Sequence, residues 1–210
     1  MADPVRAQKE RAYLKSDLEH IGVTVPSTRK IVRAAAADLR SRPEIIAAAK
    51  ALWAKPIHEL RMSTVELLAY RENRLEPADL AMIETMLRQA KTWALVDHLA
   101  ESVAGGIVAR NPEAADVLDR WATDDDFWIR RSALLSLLGP LRRGDGDLAR
   151  LSRYADSMLD EREFFIRKAI GWVLRETGKT RPDWVAAWLA ARAGRVPPLA
   201  VREAVKYLPH

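Results

Sequence analysis

The chain has 210 residues, 34 Lys+Arg against 29 Asp+Glu for a formal net charge of +5, and no cysteine. That length can bury a sizeable core; a hydrophobic fraction of 49% excludes a disordered chain, and the missing thiols exclude disulfides and thiolate metal sites. The first thirty residues hold no apolar run long enough for a signal peptide or a membrane span, so a soluble cytoplasmic protein with no membrane partner is expected.

Helix signals recur along the chain and strand alternation is almost absent, which predicts twelve helices: 7–20, 27–40, 43–54, 57–72, 77–89, 92–109, 112–121, 125–138, 146–158, 161–176, 182–193 and 198–207. Ser27 after Pro26 is expected to cap the second. Pro43, Pro77 and Pro112 stand where a first helical residue belongs, the last behind Asn111 as N-cap. Leu60, Val65, Leu67, Leu68 and Tyr70 fall on one side of the fourth helix, and Leu134, Leu135, Leu137 and Leu138 on one side of the eighth. Gly139-Pro140, Gly144-Asp145-Gly146 and Gly178 through Pro182 read as stops or loops. No linker divides the chain, so one domain over 1–210 is expected.

Phe127-Trp-Ile-Arg-Arg-Ser-Ala133 recurs as Phe164-Phe-Ile-Arg-Lys-Ala-Ile170, 37 positions on. A period of this size without strands marks stacked helical hairpins, about six here, and predicts an all-α superhelical solenoid with a concave face. Trp93 and Asp97 are four apart and share a helix face. From Trp93 to Arg131 is 38 residues and from Arg131 to Trp172 is 41, steps that match successive repeats. Two indoles, a carboxylate and a guanidinium on one face could hold a sugar, stabilise positive charge and bind phosphate. Asp97 is otherwise read as a solvated or salt-bridged residue beside a packed Trp93.

Other candidates are weaker. His20, His58, His98 and His210 show no helical metal-ligand spacing, so neither a metal nor a cofactor is expected. There is no phosphate-binding glycine signature, and Gly105-Gly106 reads as a close helix contact or a break. Ser132 reads as structural, and Trp53, Trp121, Trp184 and Trp188 as core.

Trp93-Ala-Leu-Val-Asp97, Phe127-Trp-Ile-Arg-Arg131, Glu163 through Glu176 and Ala200 through Leu208 resemble the AlkD-like DNA alkylation repair proteins. Tyr13-Leu-Lys and Gly22-Val-Thr-Val-Pro26 with its following basic helix fit as well, so the likeness spans nearly the whole chain. It implies HEAT-like repeats binding duplex DNA and a monofunctional glycosylase that releases N3- and N7-alkylated purines in base excision repair without enclosing the base. By position it makes Asp97 the catalytic carboxylate, Trp93 and Trp172 aromatic walls, and Arg131 the arginine beside the damaged nucleotide. Arg130, Arg167, Lys168 and Arg175 would grip phosphates, with Tyr13 on the same face. The family often has a second tryptophan where this chain has Thr92, and the stretch from Arg131 to Trp172 is about two residues longer, a difference assigned to the Gly144–Gly146 loop. A monomer acting at the nucleoid is expected. Two alternatives stand beside the enzyme: a catalytically inactive DNA-binding paralogue, and a HEAT-like scaffold for another protein.

Overall fold

A computed structural model describes residues 2–208; Met1, Pro209 and His210 lie outside them, and with them the ends of the expected 1–210 domain. The described residues are helical throughout, with no strand beyond an isolated bridge between Glu19 and Ile57. No helix among them is long and apolar enough to cross a membrane. The chain divides into two compact units, one ending at Val103 and one beginning at Ala104.

The first unit carries α1 (Pro4–Leu14), α2 (Val25–Ala35), α3 (Arg42–Trp53), α4 (His58–Tyr70), α5 (Leu80–Ala90) and α6 (Trp93–His98). Helix α1 stops six residues before the expected His20. Lys15 takes a left-handed conformation there, and the chain then runs extended so that Glu19 N–H donates to Pro56 O at 3.0 Å. Gly22, at φ +79°, lets this segment touch the start of α1: a Cβ there would stand 2.0 Å from the Asp3 carbonyl oxygen. Helix α2 begins two residues before the expected Ser27, because Pro26 fits the first turn and Thr24 is the cap, accepting from Ser27 N–H at 3.2 Å. Ser41 and Glu44 close a capping box on α3, which places Pro43 second in its helix.

Helix α4 departs from the expected single apolar side. Residues from Thr64 through Leu68 are all buried, because α2, α3 and α6 pack around it, whereas Tyr70 is exposed with the Arg33 and Arg71 guanidinium carbons 5.7 and 5.0 Å from its ring centre. Ile45, Val65, Leu68, Ile83, Leu87 and Leu95 form the core of this unit.

The second unit carries α7 (Gly105–Arg110), α8 (Asp116–Trp121), α9 (Phe127–Leu135), α10 (Leu138–Arg143), α11 (Leu148–Ser157), α12 (Phe164–Gly178), α13 (Pro182–Ala190) and α14 (Pro198–Ala204). Every expected helical segment is present. The one over 92–109 contains a π-helical stretch, Leu99–Ala104, and Gly105-Gly106 continue as helix rather than breaking it. Asn111 precedes a 3₁₀ turn at Pro112 but does not cap it; its amide donates backward to Ile107 O at 2.8 Å. Gly139-Pro140 is not a stop. The chain turns earlier, at Ser136-Leu137, and Pro140 sits in the first turn of α10, where its missing N–H leaves no helical bond unmade. Trp121, Ile129, Leu134, Leu151, Ile170 and Val185 fill this core, with Trp188 4% exposed and Trp184 only half-buried.

The repeat visible in the sequence is written into side-chain hydrogen bonds within each unit. Arg29 reaches Glu66, Arg42 reaches Asp79 and Trp53 reaches Gln89 across 36 or 37 residues. In the second unit Tyr154 donates to Asp119, Trp188 to Ser152, and Arg192 pairs with Asp156 across 35 or 36. Equivalent helices of neighbouring repeats are thus tied by polar bonds as well as by apolar packing.

Candidate active site

Helix α6 begins at a tight turn. Lys91, left-handed at φ 50°, ends α5, and extended Thr92 offers its carbonyl to Leu95 and Val96 N–H at 3.2 and 3.1 Å. The Thr92 hydroxyl is buried and has no hydrogen-bond partner among the described residues, and no side-chain bond caps the helix. Leu95 and Val96 are fully buried on one side of α6, and Trp93 and Asp97 are half-buried on another. The Tyr13 side chain, 73% exposed on α1, meets the Trp93 ring edge-on at 6.1 Å and 89°. The first unit therefore brings Tyr13, Trp93 and Asp97 to one patch, as the spacing predicts for the latter two.

The neighbouring residue is held from behind. His98 Nδ1 lies 3.7 Å from Glu66, whose carboxylate takes two 2.8 Å bonds from Arg29. Burial pushes the His98 imidazole below its ordinary value, against the opposing pull of Glu66. The π-helical turn that follows α6 widens the backbone next to the carboxylate, a distortion often found at functional sites.

In the second unit the two copies of the repeated segment open α9 and α12. Each is capped by the acid before it: Asp126 accepts from Trp128 N–H at 2.9 Å, and Glu163 from Phe165 N–H at 3.3 Å. Their aromatic pairs meet, with Phe165 stacked on Phe127 at 6.5 Å and tilted to Trp128 at 4.8 Å.

The repeated cations divide by environment. Arg131 is 2% exposed; it donates to the Phe165 carbonyl, and its guanidinium carbon lies 5.8 Å from the Phe165 ring centre. Arg130 makes a bidentate pair with Glu161 at 2.7 and 2.6 Å, and Arg167 Nε donates to the carbonyl of the same Glu161 at 2.8 Å. Arg175 is paired with Glu203 at 2.7 Å. Lys168 is exposed, with Nζ 5.9 Å from the Phe164 ring centre. Trp172 is half-buried on α12 beside Gly171, which packs against α14. Sequence reasoning missed Glu161, Glu203 and Phe165 as the partners of these cations. Their separations of 31, 28 and 34 residues follow no single repeat length, so no signal in the sequence marks them.

A family model described as DNA alkylation repair enzyme matches residues 1–208. The chain belongs to that family. Among solved structures it is similar to a predicted DNA alkylation repair enzyme from Enterococcus faecalis, at 25% identity and a TM-score of 0.89, over 99% of this chain and 97% of that one. It is also similar in fold to AlkD2 from Streptococcus mutans, at 16% identity and a TM-score of 0.68, over 97% of this chain and 100% of that one. No curated protein matches the sequence. Family membership supports a repair role on DNA.

Proposed function

We propose that the protein is a monofunctional DNA glycosylase that hydrolyses the N-glycosidic bond of cationic N3- and N7-alkylated purines in duplex DNA. The observation that carries this reading is the patch of Tyr13, Trp93 and Asp97, a carboxylate one helical turn from a half-buried indole. Alkylation at N7 or N3 leaves the purine positively charged, so it departs as a neutral base with the electron pair of the C1′–N bond and needs no general acid. The sugar acquires oxocarbenium character as that bond breaks. The Asp97 carboxylate stabilises this charge and orients the water that adds to C1′, its proton passing to Asp97 and then to solvent. Indole faces bind the electron-poor sugar more strongly as charge develops.

Trp172 and Arg131 take their proposed roles, second aromatic wall and partner of the damaged nucleotide, from the family resemblance. Among the cations expected to grip phosphates, Arg130 and Arg175 already hold carboxylates, so the phosphate contact falls first to exposed Lys168, with Arg167 beside it. Bulky cationic adducts are expected to be accepted, and neutral lesions released poorly.

The test is release of free base from duplex DNA carrying one N7-methylguanine. Wild type is expected to exceed the spontaneous rate, and Asp97→Asn to lose on the order of a hundredfold or more, the usual cost of a preorganised charge. Release at the spontaneous rate by wild type would overturn the enzyme reading: salt-sensitive DNA binding would then leave the inactive paralogue, and no binding the scaffold. Equal release by Asp97→Asn would remove that residue from its role.

A further inference from the structure

Away from this patch, the first unit gathers three side chains with metal-binding atoms: Glu10 on α1, His20 in the extended segment after it, and Glu59 in the first turn of α4. One ligand atom from each lies within 4.8 Å of the others. Two ligands of a tetrahedral ion bound at about 2.1 Å stand roughly 3.4 Å apart, so the three close on one centre by movements of about an ångström. With Glu59 4% exposed and the Glu10 side chain 29% exposed, the adjustment falls to Glu10.

The surroundings suit a bound cation. Neither ring nitrogen of His20 has a hydrogen-bond partner among the described residues although both are buried, a costly arrangement for an imidazole, which carries one donor and one acceptor. Behind it, at 4.4 Å and nearly parallel, stacks His58, 6% exposed, whose Nδ1 is likewise buried without a partner. The carboxylates are oriented from outside the cluster, as metal ligands commonly are. Glu59, 4% exposed, is fixed by Ile21, Gly22 and Val23 N–H on Oε1, the shortest bond being 2.6 Å from Gly22, and by a single 3.1 Å bond from Ile21 on Oε2. Arg6 holds Glu10 through Oε1, at 2.9 and 2.8 Å. His20 also lines a cavity of about 470 Å³ with Arg11 and Asp17.

We propose that Glu10, His20 and Glu59 bind one divalent first-row transition-metal ion, Zn²⁺ being the best match to one imidazole nitrogen and two carboxylate oxygens, with water completing the tetrahedron. Imidazole with carboxylates is a borderline donor set, which favours such an ion over Mg²⁺ or Ca²⁺. Its role is structural. The ion ties α1 to α4 through the segment between them, and α1 carries the Tyr13 ring that meets Trp93. Sequence spacing conceals the site because its ligands are 10 and 39 positions apart.

The full chain, stripped with a chelator, is titrated with ZnCl₂ by calorimetry without DNA, so the outcome is independent of base release. One saturable site per chain is expected, at micromolar affinity or tighter, with a higher melting temperature when filled. His20→Gln and Glu10→Gln, each checked for native helicity by circular dichroism, are expected to weaken binding at least tenfold, and MgCl₂ to give no heat of binding. Absence of a saturable site in the wild type overturns the proposal. So does Zn²⁺ binding that both variants retain at full strength, since the ion would then sit elsewhere.

Discussion

Gly171 offers a sharp test of how the proposed wall Trp172 is positioned. A Cβ at Gly171 would stand 2.8 Å from Glu203 Cβ, 2.9 Å from Ala200 Cα and 3.0 Å from the Ala200 carbonyl oxygen. Two of those atoms are backbone of α14 and cannot swing away, so Gly171→Ala must push α14 off α12. Overpacking of this kind costs about 3 kcal/mol at its upper end. Replacing a mid-helix glycine by alanine returns about 1 kcal/mol of helix propensity. The net expectation is a loss of about 2 kcal/mol, or roughly 4–8 °C of melting temperature at this chain length. Gly139→Ala supplies the contrast. Gly139 is also helical, in α10, but its nearest outside atom is Arg143 Nη1 at 3.8 Å, an ordinary contact. That substitution is expected to cost less than Gly171→Ala, because gained helix propensity opposes only the crowding that Pro140 imposes on a Cβ at the residue before it. Urea denaturation of the two variants beside wild type measures both effects. Equal stability of Gly171→Ala and wild type, or equal losses in the two variants, would refute the argument from close helix approach. The glycosylase assay adds a second reading: Gly171→Ala should lose base release at a temperature where it remains folded, because the shifted face carries Trp172.

Further outcomes follow from the same geometry. Gly22→Ala places a Cβ against the Asp3 carbonyl at a left-handed φ, and is expected to destabilise the first unit by at least about 2 kcal/mol in urea denaturation. Asp119, held by Arg150, Tyr154 and Arg153, has its carboxyl drawn down to about 2 from the ordinary 3.8, mainly by the Arg150 hydrogen bonds. A lowered carboxyl stabilises the fold above pH 3.8 and loses that contribution as pH falls toward 2. With its side chain 38% exposed, solvent screening reduces the effect to about 1 kcal/mol. The stability gap between wild type and Asp119→Asn should therefore narrow by that amount from pH 5 to pH 2, and an unchanged gap would contradict it. Lys168→Ala should weaken DNA binding at every sequence and reduce the slope of log affinity against log salt by about 0.9; an unaltered slope would take Lys168 off the phosphate backbone.

By itself the sequence determined the all-helical class, because apolar periodicity and prolines at helix starts are local properties that need no tertiary partner. The 37-residue repetition was legible for the same reason, and so was the shared face of Trp93 and Asp97, which the helical pitch fixes. Where local signals competed, packing decided. Residues 15–20 have helical composition, yet they run extended because Glu19 pairs with the backbone around Ile57. Pro140 reads as a stop until the turn at Ser136-Leu137 makes it part of a first turn. The larger share left to the fold concerns charge. Arg130, Arg167 and Lys168 look alike on paper, but Glu161 claims the first two, and nothing local marks a glutamate 31 residues from Arg130 as its partner. Likewise Glu10, His20 and Glu59 become neighbours only when α1 folds back on α4. A helix dictates which of its own residues share a face. Which distant residues meet is set by the register of one repeat on the next, and that register exists only in the folded chain.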